Sequence, residues 1–324
     1  MSASNSATVA GSVEGPKWTH EIVEWAELNV SLFPRIKYST MSEIYGDPSR
    51  TLVRASNEPR NEATREELEA KWAEAMEAIH SGTVPERDLI RGVDFSPVID
   101  HPHVDAGGSN VLVPGLGSLT DKNGWDTAIR LHVAVWRLFT DLRNARPLSR
   151  LGKFRMMQIR FDDPNYSEID RNFLSQEFRR SEQVRVFTGS RGQGLRFLRQ
   201  KNSLVVLLGA TNPYRQIMAD LIPESAVPYD DVPIGIISRP HEDQRGRDET
   251  SPRVRDNWLG HYYDPITTIF PADTELYGRI CLHIRRVDIP GGKRTGKAPK
   301  KKTSKTPIVP YEKPPGKGKG KTKT

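Results

Sequence analysis

After Pro290 the chain loses the means to build a core. From Gly291 to Thr324 it is almost entirely Gly, Lys, Thr and Pro, with Ile308, Val309 and Tyr311 as its only large apolar side chains. Such a segment cannot bury enough surface to offset the entropy of ordering it. Any folded body must therefore come from the residues before it. The tail holds 12 Lys/Arg and one acid, Glu312, a net charge of +11. The 290 residues before it hold 36 basic and 40 acidic side chains, a net of −4, so the alkaline pI of about 9.4 belongs to the tail.

At the other end, residues 1–16 are rich in Ser, Ala, Asn and Gly and lack the basic-then-apolar order of a signal peptide. The organisation expected is a disordered segment at 1–16, a globular body at 17–289 and a disordered lysine-rich tail at 290–324. One cysteine, Cys281, excludes an internal disulfide framework and a cysteine-based zinc cluster. The longest apolar run, 204–208, is too short to cross a bilayer. An intracellular protein of cytoplasm or nucleus follows, or one packed in a virion.

Within the body, Thr64-Arg65-Glu66-Glu67 is a capping box, and Leu68, Trp72, Met76 and Ile79 follow at helical spacing. A second helix, over 126–142, is apolar on most faces and should be central. A third is expected over 167–183, and a short fourth after Asn212-Pro213. Strands are expected over 154–161, 184–188, 204–208, 234–237 and 279–287. The charged stretch 238–257 reads as an exposed loop. No regular alternation of helix and strand is visible. The fold class expected is α+β, mixed helices with mostly antiparallel short strands.

The charge pattern names candidate polyanion contacts. Lys293, Arg294, Lys297, Lys300, Lys301, Lys302, Lys305, Lys317, Lys319, Lys321 and Lys323 can displace counterions condensed on a nucleic acid. Lys300–Lys302 also fits a nuclear import signal. Residues 137–201 hold 15 basic and 7 acidic side chains, a net of +8, and most of the basic ones are arginine. Arg179, Arg180, Arg191, Arg196 and Arg199 lie there among Phe178, Phe187 and Phe197. Cationic grooves and aromatic faces hold single strands in this way. The alternative is a solvated arginine face paired with Asp162, Asp163 and Glu182, the phenylalanines being core. Thr188-Gly189-Ser190-Arg191-Gly192-Gln193-Gly194 could form a small phosphate nest but lacks the Gly-Lys-Ser/Thr ending of a Walker loop. A hairpin turn is its alternative.

Asp100-His101-Pro102-His103-Val104-Asp105 is the most enzyme-like string. Two histidines one residue apart beside a carboxylate can share a metal. The string resembles the HxHxD core of metallo-β-lactamase-type hydrolases, which would imply a metal on His101, His103 and Asp105. It departs from that pattern at Ala106, where the family has a further histidine. Otherwise the segment is a loop in which Asp100 or His103 caps a turn.

No Gly-x-Ser-x-Gly elbow occurs, and no motif calls for a cofactor. The function expected is thus structural and non-enzymatic: a nucleic-acid-binding coat or nucleocapsid-type protein, RNA more than DNA, that self-associates. The layout of acidic body and basic arm resembles that of viral coat proteins. A cellular or nuclear nucleic-acid-binding factor is the second reading, and the hydrolase the third.

Overall fold

Short apolar runs pair side by side here, most of them in one direction. The computed structural model describes residues 35–38, 53–56, 59–83, 93–101, 110–145, 157–179, 184–189, 203–209, 213–221, 232–240, 253–268 and 280–287. The chain divides into Met1–Pro290 and Gly291–Thr324, and the second unit lies outside the described residues. Strands β1 (Arg35–Tyr38) and β2 (Val53–Ser56) form a separate antiparallel pair. Helices α1 (Arg65–His80) and α2 (Ser96–Ile99) precede the main sheet.

That sheet then builds in a regular rhythm: β3 (Asn110–Pro114), α3 (Trp125–Ala145), β4 (Met157–Asp162), α4 (Glu168–Phe178), β5 (Val184–Gly189). The chain returns through β6 (Ser203–Val206), α5 (Tyr214–Leu221) and β7 (Gly235–Ser238). A π-helical turn at Arg253–Leu259, the short α6 (Gly260–Tyr262), β8 (Tyr263–Thr268) and β9 (Cys281–Arg285) complete it. The seven strands lie in the order β5-β4-β3-β6-β7-β9-β8. From β5 to β7 every neighbouring pair is parallel, and β9 runs antiparallel between β7 and β8.

The helices and mixed sheet agree with a mixed α and β chain, but the expected mostly antiparallel strands are corrected to mostly parallel ones. The cause is β3. Its three apolar residues, closed by Pro114 and a glycine turn, gave no strand pattern, yet it is the strand from which the sheet grows both ways. Once β3 is in place the alternation β-α-β-α-β appears, and with it a doubly wound sheet. Strands buried on both faces also show no period of two. In β9 all five residues are buried, so both faces of this strand are covered.

One face of the sheet carries Val111, Val113, Ile159, Phe161, Leu204, Val206, Leu282 and Ile284, packed with α1, α3 and α4 in a single core. Three of the four predicted helices lie here. Thr64 caps α1 with Glu67 in a full capping box, and Ser81 ends it. Trp72 of α1 meets Phe173 of α4 edge-on, ring centroids 5.3 Å apart. Helix α4 stops at Phe178, short of the expected residue 183, because the chain must turn back into β5. Since β-α-β crossovers are right-handed, reversing the direction of growth at β3 sends α5 to the opposite face. All eight α5 residues are buried there, packed against the π-helical turn. That turn corrects the far end of the predicted 238–257 loop, because Val254 and Trp258 anchor it inside. Among the described residues no helix is long and apolar enough to cross a membrane.

Candidate functional site

Parallel sheets of this kind open a crevice beyond the carboxyl ends of their strands, where the order of growth reverses. Here that point lies between β3 and β6. Three turns meet there: residues 115–124 after β3, 163–167 after β4, and 207–209 after β6.

The β3 turn starts Gly115-Leu116-Gly117-Ser118. Gly115 has φ +74° and Gly117 φ +85°, both in the left-handed region, where other residues are strained. A Cβ on Gly115 would sit 2.1 Å from Cε2 of Tyr214, the first residue of α5. The ring of Tyr214 therefore lies directly on the Gly115 backbone. Arg215, fully buried beside it, donates from Nη1 to the Pro240 carbonyl at 3.2 Å, tying the start of α5 to the end of β7.

The glycine N–H groups point inward. Gly115 N–H donates to the Asp162 carbonyl at 2.9 Å, and Gly117 N–H to Asp163 Oδ2 at 2.9 Å. Asp163 also accepts the Asn165 N–H at 2.8 Å, and Arg60 Nη1 reaches the Asn165 carbonyl at 2.6 Å. Asp170 accepts from Ser118 Oγ at 2.7 Å, Thr120 N–H at 2.9 Å and Ser167 N–H at 2.8 Å. Three buried carboxylates, Asp162, Asp163 and Asp170, thus stand behind the glycine turn. Residues 61–63 cross over the same turn, with Ala63 N–H donating to the Thr120 carbonyl and Lys122 N–H to that of Asn61.

Beneath it lies a buried pair from α3 and the β4 turn. His132 Nδ1 is 2.7 Å from the Ala128 carbonyl, which can only accept, so Nδ1 carries the proton. Nε2, 2.7 Å from the Tyr166 hydroxyl, then accepts it. Burial pushes His132 down to about 4, so the ring stays neutral. Burial pushes Asp163 up to about 6, against the two N–H bonds that favour its charge.

These two groups oppose each other in stability. Asp163 favours the native state below its ordinary value of 3.8, an advantage lost as pH rises to about 6. His132 favours it above 6.5, and that advantage is lost as pH falls to about 4. Each is worth roughly 3 kcal/mol over its window. The contributions of these two groups should accordingly nearly cancel between these limits. Asp163→Asn should uncover the histidine and lose about 3 kcal/mol across the same descent, read by urea denaturation at several pH values. A variant with the same pH profile as the parent would refute this balance.

Of the residues singled out from sequence, Arg179, His101 and Asp100 are described, and none of these three belongs to the glycine turn. Arg179 is exposed as the residue after α4, while Arg180, Arg191, Arg196, Arg199 and every tail lysine and arginine named above lie outside the described residues. Of the predicted glycine nest only Thr188 and Gly189 are described, at the end of β5. His101 is buried and its Nε2 lies 2.8 Å from the Arg285 carbonyl, so that nitrogen is a donor and no metal ligand. Asp100 closes α2, its N–H bonded to the Ser96 carbonyl. His103 and Asp105 lie outside the described residues, among which no three His, Cys, Asp or Glu are placed to hold a metal. Sequence reading missed the Gly115–Gly117 turn. Its signal was present as an apolar run, then Gly-x-Gly, then a helix, with an Asp-Asp pair ending the next strand.

No protein-family model matches this chain, and no curated protein is significantly similar to it.

Proposed function

We propose that the body binds a nucleoside at the carboxyl edge of the sheet, with a ribose hydroxyl pair on Asp162 and the base against the Tyr214 side of the crevice. The observation that carries this is the Gly115–Gly117 turn at the reversal point, facing an acid at the end of the neighbouring strand. Doubly wound sheets bind nucleosides with that pair of features.

The ligand's charge follows from where the N–H groups go. A pyrophosphate needs backbone donors aimed at it and a helix amino terminus close by. Here both glycine N–H groups are committed to β4 and its turn. Helix α3 begins only at Trp125, with Asp126 in its first turn. Together with three buried carboxylates, this disfavours a dinucleotide and favours a neutral or cationic nucleoside. A sulfonium nucleoside of the S-adenosylmethionine type has that chemistry. The antiparallel β9 between β7 and β8 is also how sheets of S-adenosylmethionine-dependent methyltransferases are built, an analogy of fold. The reaction class to test is therefore methyl transfer.

A second reading rests on charge alone. The +11 tail is read as a sequence-independent contact with RNA or DNA. The acceptor of first choice is then the nucleic acid that the tail would hold. The coat-protein and host-factor readings share that contact, and self-association separates them.

Isothermal titration with S-adenosylmethionine, S-adenosylhomocysteine, NAD and ATP tests the ligand. The two S-adenosyl compounds should bind, and NAD and ATP should not. Asp162→Asn should weaken the S-adenosyl compounds about tenfold or more while the melting temperature stays near the parent's. Preference for NAD or ATP, or no binding of any of the four at millimolar concentration, would overturn the proposal.

A further inference from the structure

The charges gathered behind the glycine turn do not balance evenly. Asp162 shares its face of β4 with Arg160, two residues back, and the two charges attract. Asp163, the next residue, is fully enclosed on the side of the helices. Among the described residues, two charged groups act on it: Arg60, which attracts, and the buried Asp170, which repels. The Arg60 guanidinium is itself divided. It donates to the Asn165 carbonyl at 2.6 Å and lies 4.0 Å from Glu62. The other titratable groups packed around the same turn, His132 and Tyr166, are buried and neutral.

The donor counts differ in the same sense. Asp170 holds one hydroxyl and two N–H groups, whereas Asp163 holds two N–H groups. Of these two acids, Asp163 therefore has the weaker support for its charge. Burial and the neighbouring Asp170 carboxylate push it up, against its two N–H bonds and Arg60. Its Oδ2 holds the Gly117 N–H at 2.9 Å, so the carboxyl lies directly behind the turn that borders the crevice. A positive charge on the crevice side of that turn supplies the attraction that Asp163 lacks.

Resting on the nucleoside reading, we propose that Asp163 is the specificity-determining residue by which the crevice tells a sulfonium nucleoside from its neutral thioether counterpart. The bound cation draws Asp163 into its ionised form. The carboxyl O–H bond breaks, its proton passes to solvent, and no bond of the ligand changes. The thioether carries the same adenosine and amino-acid groups without the sulfonium charge, so it leaves the proton in place. A carboxyl that only braced the Gly117 turn would hold both ligands alike.

Isothermal titration of the full chain with S-adenosylmethionine and with S-adenosylhomocysteine, each in two buffers of different ionisation enthalpy, reads the proton. If the cation brings Asp163 from about 6 to about 5, S-adenosylmethionine should release about 0.4 proton per ligand at pH 6. S-adenosylhomocysteine should release none. The affinity ratio of sulfonium to thioether should rise about fivefold from pH 5 to pH 7. In Asp163→Asn that ratio should stay level over the same range. Should the variant fail to melt like the parent, the two-buffer measurement on the parent decides alone. Equal heats of S-adenosylmethionine binding in the two buffers, or a level ratio in the parent, would overturn the role of Asp163 and leave the nucleoside site standing. If neither compound binds, the nucleoside reading falls and this inference with it.

Discussion

Gly115→Ala should be the most damaging small substitution in the described body, at a cost of about 3 kcal/mol or more. Two separate penalties meet there. The left-handed φ of +74° costs a residue with a Cβ roughly 1–2 kcal/mol. The methyl group would also press on the Tyr214 ring at 2.1 Å, and overpacking of this sort costs about 1–3 kcal/mol. Gly117 supplies the control. Its φ of +85° is as strained, but a Cβ there meets only Ala128 Cβ at 3.7 Å. Gly117→Ala should therefore show the backbone penalty alone. Urea denaturation of both variants, and of Gly115→Ala with Tyr214→Leu, resolves the parts. The double variant should recover the steric share and not the backbone share. Equal loss at the two glycines would show that Tyr214 yields freely.

Asp170→Ala is expected to cost about as much for an electrostatic reason. The carboxylate accepts the buried Ser118 hydroxyl and the Thr120 and Ser167 N–H groups. Its removal strands donors that water cannot easily reach, at about 1–3 kcal/mol for each group left unpaired. The loss should be about 3 kcal/mol or more by chemical denaturation. Hydrogen exchange at the Thr120 and Ser167 amides should accelerate more than elsewhere in the sheet. Asp170→Asn, which keeps one acceptor oxygen, should fall between. A loss under about 1 kcal/mol would mean that the network re-forms around a bound water.

The same residues explain the shape of the proposed nucleoside site. Asp170 holds Ser118 and Thr120, Asp163 holds Gly117, and the Asp162 backbone holds Gly115. The glycine turn is thereby fastened to the end of β4 along its length. A turn fixed in that way keeps its geometry without a ligand. It also commits both glycine N–H groups away from a phosphate, which is why the nucleoside reading departs from the usual dinucleotide one.

Local chemistry made several elements legible in advance. The Thr64 and Ser167 capping boxes satisfy their own helix ends, so they act wherever the chain goes. Helix α3 announced its central place by being apolar on most faces, and its buried residues run from Ala128 to Leu142. The runs that became β4, β5, β6, β7 and β9 were also visible, because apolar β-branched segments must find a sheet.

Strand direction, the hidden β3 and the site were decided only by tertiary structure. Direction is set by which neighbours a strand pairs with, and pairing is a long-range property that no short window holds. β3 was too short and too close to Pro114 to declare itself, yet Val111 and Val113 are completely enclosed once β4 and β6 flank them. The acids behind the glycine turn read as possible salt-bridge partners for surface arginines. Asp162 and Asp163 proved to be buried, because the end of β4 lies beside the end of β3. Charge and capping are properties of a few adjacent residues, and the sequence alone determined them. The crevice joins turns drawn from residues 115, 163 and 209, and only folding the sheet brings those together.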